Sequence, residues 1–377
     1  MSSLVKLSIL DNFSELEDPR IDRCKRHELL DIIAISLCGV ISGMQHWEEI
    51  EEYGKAREEW FSKFLKLPNG IPSHDTFRRV FMLLEPKNFQ KCFSNWITAI
   101  CSSCPENVIA IDGKCLRRSF DKVKEISALH LVSAWSCANN FVLGQLAVED
   151  KSNEIVAIPQ LLDMLTIRGH IFTLDAMGCQ KRIAEKIVSN KGDYVFSLKD
   201  NHPNLRQEAE NFFSDPVNSV HIDFHETVDG EHGRIETRKC SSASANLFYK
   251  TEDWIGVASV SMIESTREIN GAASKEKRYF ISSLDPNAKK LLGSVRTHWQ
   301  IENTLHWSLD NTLNEDQCRI RERNSAQNFA TLRRMAGGLI KNGTSEKKSI
   351  RRKMMLASWN TDYLIKILQT NNTKNKN

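Results

Sequence analysis

The sequence predicts a mixed α/β protein with a five-stranded sheet flanked by helices, a helical N-terminal region and a β-rich insertion. Apolar residues recur at helical spacing up to about residue 104. Short β-type runs follow directly after that point, and helix-like and strand-like segments then alternate. A mixed sheet covered by helices is the architecture that this order of segments favours.

The clearest N-terminal helix is "SHDTFRRVFMLLEP", in which Ser73 can cap the first turn and Pro86 ends the apolar pattern. Arg78 and Arg79 then point away from the apolar face. Such a placement suits contacts with DNA phosphates, although a solvated helix face explains it equally well. We expect residues 1–104 to form a helical domain that binds DNA ends.

The strands begin with "NVIAIDGKCL", "ALHLVSAWS" and "FVLGQLAVE", which predict an antiparallel meander. Helix-like "EIVAIPQLLDML", strand-like "HIFTLDA", helix-like "QKRIAEKIVSN" and strand-like "DYVFSLK" come next. Three strands followed by helix, strand, helix, strand is the order of an RNase H-like core. The predicted catalytic domain spans residues 105–345, with the β-rich insertion at about residues 200–290 and a basic segment with a polar tail at 346–377.

Composition and charge exclude several classes of protein. The 377 residues contain no apolar run long enough for a membrane span and no basic-then-apolar leader at the N-terminus, so we expect a cytoplasmic protein without a membrane partner. Most cysteines are scattered singly, and the only CxxC, at Cys101 and Cys104, lacks a second pair at zinc-finger spacing. Basic residues are concentrated from Arg319 to Lys353, which indicates a polyanion partner, although a solvated helix face explains this segment equally well when it is taken alone.

Three carboxylates carry the predicted chemistry. Asp112 closes the apolar run "VIAID", Asp175 closes "IFTLD", and Glu302 lies on a helix after the insertion. One aspartate after a strand is weak support because Asp-Gly is a common turn pair, but two on adjacent strands are stronger. Carboxylates that converge repel one another unless cations lie among them, and hard oxygen ligands suit Mg²⁺ or Mn²⁺. The three residues therefore predict phosphoryl transfer on nucleic acid with two metal ions.

The helix "HWQIENTLHWSLD" is predicted to bury one apolar stripe, formed by Ile301, Leu305, Leu309 and Leu313. Glu302 falls inside or beside that stripe, so we expect its carboxylate to be buried. A bound metal ion would then offset the free-energy cost of burying this charge. An alternative is a zinc hydrolase site built from His298, Glu302 and His306. Their spacing is not that of HExxH, and the two strand-end aspartates would then have no role.

Long motifs in this order, including "VIAIDGKCLRRS", "KSNEIVAIPQLLDML", "TLDAMGCQKRIAEKI", "GDYVFSLKDN", "HGRIETR" and "HWQIENTLHWSLD", are similar to those of ISAs-type insertion-sequence transposases. That group includes the H-repeat-associated proteins of Rhs elements. The resemblance implies a DDE transposase in which Asp112, Asp175 and Glu302 are the catalytic metal ligands. It implies as partners the terminal repeats and target DNA, and a homodimer when two ends are engaged.

Several basic residues are assigned to DNA contact: Arg78, Arg79, Lys114, Lys199, Arg234, Arg238, His298, Arg333 and Arg334. Related DDE groups carry tyrosine, arginine and lysine around the glutamate, at positions that are Val295, His298 and Leu309 here. This departure leaves His298 or Arg296 as substitutes for the usual contacts. Two other functions remain open: a nuclease that cuts without joining, and a catalytically silent remnant or simple DNA-binding protein.

Overall fold

The computed structural model describes residues 8–100, 108–149, 153–231, 234–269 and 272–369. The CxxC at Cys101 and Cys104, the predicted boundary at residue 104 and the polar tail from residue 370 onward lie outside these ranges. Within them, no helix is both long and apolar enough to cross a membrane.

The N-terminal region is helical, as its apolar spacing predicts. The predicted cap is present, because the Ser73 hydroxyl accepts a hydrogen bond from the Thr76 N–H. Trp47 packs against Phe77 and Phe81 inside this region. The helices are α1 (Ser8–Phe13), α2 (Leu29–Ile41), α3 (Trp47–Lys55), α4 (Glu58–Phe61), α5 (His74–Leu83) and α6 (Pro86–Ile100).

A single sheet runs through the rest of the chain, in the order β3-β2-β1-β4-β5-β9-β8-β7-β6. Strand β1 is antiparallel to β2 and parallel to β4, and β4 is parallel to β5. The strands are β1 (Val108–Leu116), β2 (Leu129–Ser136), β3 (Phe141–Val148), β4 (Ile171–Leu174), β5 (Asp193–Leu198), β6 (Asp223–Glu231), β7 (Arg234–Ser244), β8 (Ser259–Ile269) and β9 (Ala272–Ser282).

The sheet has nine strands where the sequence predicted five. The insertion does not form a separate unit, because β9 pairs antiparallel with β5 from Val195↔Ser282 to Leu198↔Tyr279. Strands β8, β7 and β6 then extend the sheet by hairpin pairing. Pairing with β9 covers the backbone edge that β5 would otherwise leave open. The insertion is therefore attached rigidly to the predicted catalytic strands.

Helices cover both faces of the sheet. Helices α7 and α8 lie over the face that carries Ile109 and Ile111, whereas α10 packs on the opposite face. Helix α12 is almost fully buried between β3 and the N-terminal helices α2, α5 and α6. The bounds are α7 (Glu154–Asp163), α8 (Lys181–Ser189), α9 (Pro203–Ser214), α10 (Ala288–His298), α11 (Trp307–Asn311), α12 (Arg323–Asn342), α13 (Ile350–Trp359) and α14 (Thr361–Leu368).

A π-helical turn, Ile301–His306, separates α10 from α11 and carries Glu302. The predicted apolar stripe is confirmed, since Ile301, Leu305, Leu309 and Leu313 are all buried. The predicted burial of Glu302 is wrong, because its side chain is exposed. A uniform α-helix would turn Glu302 toward the buried stripe. A π turn holds more residues per turn than an α-helix, so it changes the direction in which each side chain points.

Candidate active site

Asp112 and Asp175 are neighbours across two parallel strands, as predicted. Ile111 of β1 pairs with Leu174 of β4, so the next residues in register are the two aspartates. Strand β4 ends at that point, but β1 continues to Leu116 through its pairing with β2. The Asp112 carboxylate accepts a hydrogen bond from the Gly113 N–H at 2.9 Å. The Asp175 carboxylate accepts the N–H groups of Met177 and Gly178 at 3.0 and 3.3 Å.

All three predicted carboxylates line one cavity of about 440 Å³. The π turn packs against β1, which brings Glu302 to the cavity over the aspartates. The Glu302 side chain is exposed, whereas the Asp112 and Asp175 side chains are partly buried. The chain therefore places two carboxylates at the cavity wall, Asp112 within β1 and Asp175 just after β4, and one carboxylate on its accessible side.

Burial and neighbouring negative charge raise the pKa of Asp112 to about 7. Burial is the largest cause, and the carboxylates of Asp175, Glu302 and Glu154 add to it against the Gly113 hydrogen bond. Beneath Gly113, Glu154 Oε1 and His130 Nε2 form a hydrogen bond of 2.6 Å. A Cβ at Gly113 would lie 2.2 Å from Glu154 Oε1, so only glycine fits at this position.

Basic and polar groups form the rest of the cavity wall. Lys199, at the end of β5, is exposed and lines the cavity, as does Arg278 of β9. The Arg278 guanidinium stacks over the Trp299 ring at 4.4 Å and pairs with Glu276. Arg278 was not among the residues predicted from the sequence, because the strand of the insertion that pairs with β5 could not be identified from local pattern. The alternation of β9 would have placed Arg278 on the same face as Phe280, which also lines the cavity.

Two histidines of the α10–α11 region contact the carboxylate site. His298 Nδ1 lies 2.8 Å from the Thr173 hydroxyl, and His306 Nδ1 lies 3.7 Å from Asp112 Oδ2. Burial lowers the pKa of each ring to about 4, so both are neutral at neutral pH. His298 therefore contributes no positive charge to the cavity at neutral pH. Of the other two motif positions, Val295 lines the cavity and Leu309 is buried in the core.

The donor chemistry of the cavity fits a hard divalent cation. Asp112, Asp175 and Glu302 offer carboxylate oxygens, and their mutual repulsion, visible in the raised pKa of Asp112, favours a cation between them. Within the described ranges, no group of three or more His, Cys, Asp or Glu side chains stands at metal-ligand spacing. Neither the zinc alternative of His298, Glu302 and His306 nor the set of three carboxylates therefore stands at metal-ligand spacing in this structure.

Three of the residues assigned to DNA contact are inaccessible. Arg333 and Arg334 of α12 are 2% and 1% exposed, and Arg334 pairs with the fully buried Glu315 at 2.5 Å. Lys114 is 7% exposed and pairs with Asp310 at 2.6 Å. Burial leaves none of these three cations accessible to phosphate, so their assignment to DNA contact is corrected.

Of the remaining assigned cations, Arg78, Arg79 and Arg234 are exposed, whereas Arg238 is partly buried. Arg78 and Arg79 are exposed on α5, where Arg78 pairs with Asp75 at 3.1 Å. In the insertion, Arg234 pairs with Glu236, and Arg238 pairs with both Glu236 and Asp229. Arg296, the other suggested substitute, pairs with Asp229 at 2.8 Å and does not line the cavity.

Comparison with known proteins agrees with the resemblance read from the motifs. Residues 10–97 match the DDE_Tnp_1-associated family, and residues 103–337 match the family described as transposase DDE domain. The "H repeat-associated putative transposase YhhI" of Escherichia coli K12 is 40% identical over 96% of this chain and 97% of its own length. The "Inactive transposase YbfQ" of the same strain is 43% identical over 14% of this chain and 64% of its own length.

Among solved structures, a synaptic complex of piggyBac transposase with hairpin DNA aligns with 99% of this chain and 80% of its own. The TM-score is 0.40 and the identity 10%, a level that defines neither fold nor function. The assignment therefore rests on the family models and the full-length relative. A match over most of the chain to the catalytic family, with 40% identity to a relative of the same length, shows that this chain belongs to the transposase DDE domain family.

Proposed function

We propose that this protein is an insertion-sequence DNA transposase that cuts and joins DNA at element ends. The observation that carries the proposal is the convergence of Asp112, Asp175 and Glu302 on one cavity walled by Lys199 and Arg278. Carboxylates alone would repel a nucleic acid backbone, so cations beside them are needed to receive phosphates. Membership of the transposase DDE domain family agrees with this chemistry.

Asp112, Asp175 and Glu302 are the residues that would hold Mg²⁺ or Mn²⁺. Bound ions of this kind activate water or a 3′-hydroxyl and stabilise the leaving oxygen in phosphodiester chemistry. The strand order β3-β2-β1-β4-β5, with β4 and β5 parallel to β1, supports an RNase H-like core for this site.

The protein's own side chains have separate parts in holding DNA. Lys199 and Arg278 are the proposed phosphate contacts at the cavity. The neutral His298 ring is hydrogen-bonded to Thr173 and forms a polar part of the cavity wall. Arg78 and Arg79 are the proposed contacts of the N-terminal helices with a terminal repeat. Joining two ends requires two such sites, so the proposed active form is a homodimer on DNA.

The direct test is a strand-transfer assay with the purified chain, oligonucleotides carrying the element's own terminal repeats, and Mg²⁺ or Mn²⁺. We expect cut ends and joined products from the same reaction. Cut ends without any joined product would instead identify a nuclease, and binding without cutting would identify a silent DNA-binding relative. Either result overturns the transposase proposal.

Mn²⁺ binding is expected to weaken as the pH falls from 8 to 6. The pKa of Asp112 is raised to about 7, so the neutral acid is the dominant form below that pH and the ligand form dominates above it. Because a proton and a metal compete for this carboxylate, the affinity should fall by about tenfold over the interval. Electron paramagnetic resonance of unbound Mn²⁺ measures this directly.

The matched control is Asp112→Asn, which cannot be protonated in this range. Its Mn²⁺ affinity is expected to be lower throughout and nearly independent of pH between 6 and 8. A wild-type affinity that does not change over the same interval would contradict the assignment of Asp112 as a ligand.

A further inference from the structure

Lys114 is a buried cation on β1, close to the proposed metal ligand Asp112. It lies two residues after Asp112 on β1, so both side chains project from the same face of the sheet. Its ammonium group lies 2.6 Å from Asp310, 3.1 Å from Asp316 and 3.7 Å from Glu315. A lysine that is 7% exposed needs such partners, because an unpaired buried charge is strongly unfavourable.

The three partners belong to one segment, which begins just after the turn that carries Glu302. Asp310 lies on α11, eight residues beyond Glu302. Glu315 and Asp316 lie in the following 3-10 turn, which a left-handed residue, Asn314 at φ 53°, introduces. Lys114 therefore joins the strand of one proposed ligand to the segment that follows another, across about 200 residues of chain.

A second cation fixes the same segment from behind. Arg334 of the buried helix α12 pairs with Glu315, and both side chains are fully buried. A third cation, Arg117, reaches Asp316 at 3.2 Å from the surface, where it is 81% exposed. Among the ion pairs of the described residues, Lys114 is the cation that connects this segment to β1 beside Asp112.

The geometry of this cluster is more specific than that of an apolar contact. An apolar residue at position 114 could pack in several orientations, whereas the buried Lys114 ammonium must stay within reach of its carboxylates and so limits the distance between β1 and the segment. The π turn that carries Glu302 lies between β1 and α11, so its position over Asp112 depends on how α11 is held. The motif "NEDQCRIR", which contains Glu315 and Asp316, has no other part in the proposed chemistry.

We propose that Lys114 is a positioning residue that holds the Glu302 turn over Asp112 by binding Asp310, Glu315 and Asp316. This inference rests on the proposed function, because the geometry that Lys114 holds is that of the proposed metal ligands. It replaces the assignment of Lys114 to DNA contact with a part in assembling the site.

The test compares Asp310→Asn, Lys114→Met and Lys114→Arg with the wild type. Asp310 is 32% exposed at its side chain, so Asp310→Asn removes the shortest ion pair of Lys114 with little risk to folding. We expect Asp310→Asn and Lys114→Met to lower kcat for DNA cleavage by about 10- to 100-fold with little change in KM, since support of ligands typically has effects of this size. We expect Mn²⁺ affinity to fall by a similar factor, and Lys114→Arg to recover part of both losses.

The matched control is Arg117→Gln, which removes an ion pair with the same Asp316 from the exposed side. Its cleavage rate and Mn²⁺ affinity should stay within about twofold of the wild type, because an exposed ion pair contributes little. If Lys114→Met does not fold, Asp310→Asn decides the question. A folded Asp310→Asn that binds Mn²⁺ as the wild type does overturns the positioning role.

Failure of the proposed function gives a different pattern. If the wild type binds Mn²⁺ but neither cuts nor joins DNA, the transposase proposal fails and the Mn²⁺ affinities of the variants still decide the role of Lys114. A wild type that binds no Mn²⁺ overturns both inferences.

Discussion

Asp112→Asn, Asp175→Asn and Glu302→Gln should each reduce DNA cleavage by about 10³-fold or more, because each removes a carboxylate from a group that acts as a unit. Binding to terminal-repeat DNA should not weaken. Each change removes a negative charge that faces phosphate, and Lys199 and Arg278 at the cavity wall remain. Cleavage measured under single-turnover conditions and binding measured by fluorescence anisotropy separate the two effects.

Asp253→Asn is the matched control for these substitutions. Asp253 is a strongly exposed carboxylate that pairs with Lys181, and it does not line the cavity. The same loss of one charge at this position should leave cleavage within about twofold of the wild type, as surface substitutions usually do. Cleavage retained by any one of the three cavity variants would remove that residue from the proposed site. Loss of DNA binding in all three would indicate a folding defect in place of lost chemistry.

The adjacency of Asp112 and Asp175 could be predicted from sequence because it depends on local pattern, although β1 continues past Asp112 to Leu116 and only Asp175 follows a strand end. Apolar runs that end in aspartate mark the carboxyl ends of buried strands, and neighbouring parallel strands bring those ends together. The register Ile111↔Leu174 confirms the adjacency that this argument requires. The adjacency of Asp112 and Asp175 could be predicted without knowledge of any long-range contact.

The union of the insertion with the sheet could not be predicted in the same way. Pairing between β5 and β9 joins residues more than 80 positions apart, such as Phe196 and Ile281. Alternating patterns identify a strand but do not identify its partner. The contribution of Arg278 to the cavity depends on that pairing, so it was beyond local reasoning.

The assignment of Arg333 and Arg334 in the basic C-terminal region to DNA contact was wrong for a related reason. A helix that is buried on nearly all sides has no polar face, and on α12 the cations Arg333 and Arg334 are inside. Glu315, the acidic partner of Arg334, lies about 20 residues away in a turn, and its burial cannot be predicted from periodicity. Charge counting assigned these arginines to DNA, whereas the structure assigns them to the core.

Arg334→Met is expected to lower the free energy of unfolding by about 3–5 kcal/mol, the usual cost of breaking a buried ion pair. Both partners are fully buried, so the substitution leaves the Glu315 carboxylate with the Lys114 ammonium at 3.7 Å and the charge of Arg333. Chemical denaturation followed by tryptophan fluorescence measures the loss. Arg351→Met, an exposed arginine on α13, should change the same free energy by no more than about 0.5 kcal/mol.

The double variant Arg334→Met with Glu315→Leu tests the origin of that cost. Most of it should come from the uncompensated carboxylate, because an apolar pair of similar volume is often as stable as the ion pair it replaces. The double variant should therefore be more stable than Arg334→Met alone. If the two are equally unstable, packing of the long side chains in α12 is the dominant contribution and the charge of Glu315 is not. Cleavage by a stable double variant would further show whether Arg334 acts only on stability, because Lys114 keeps its shorter ion pairs with Asp310 and Asp316.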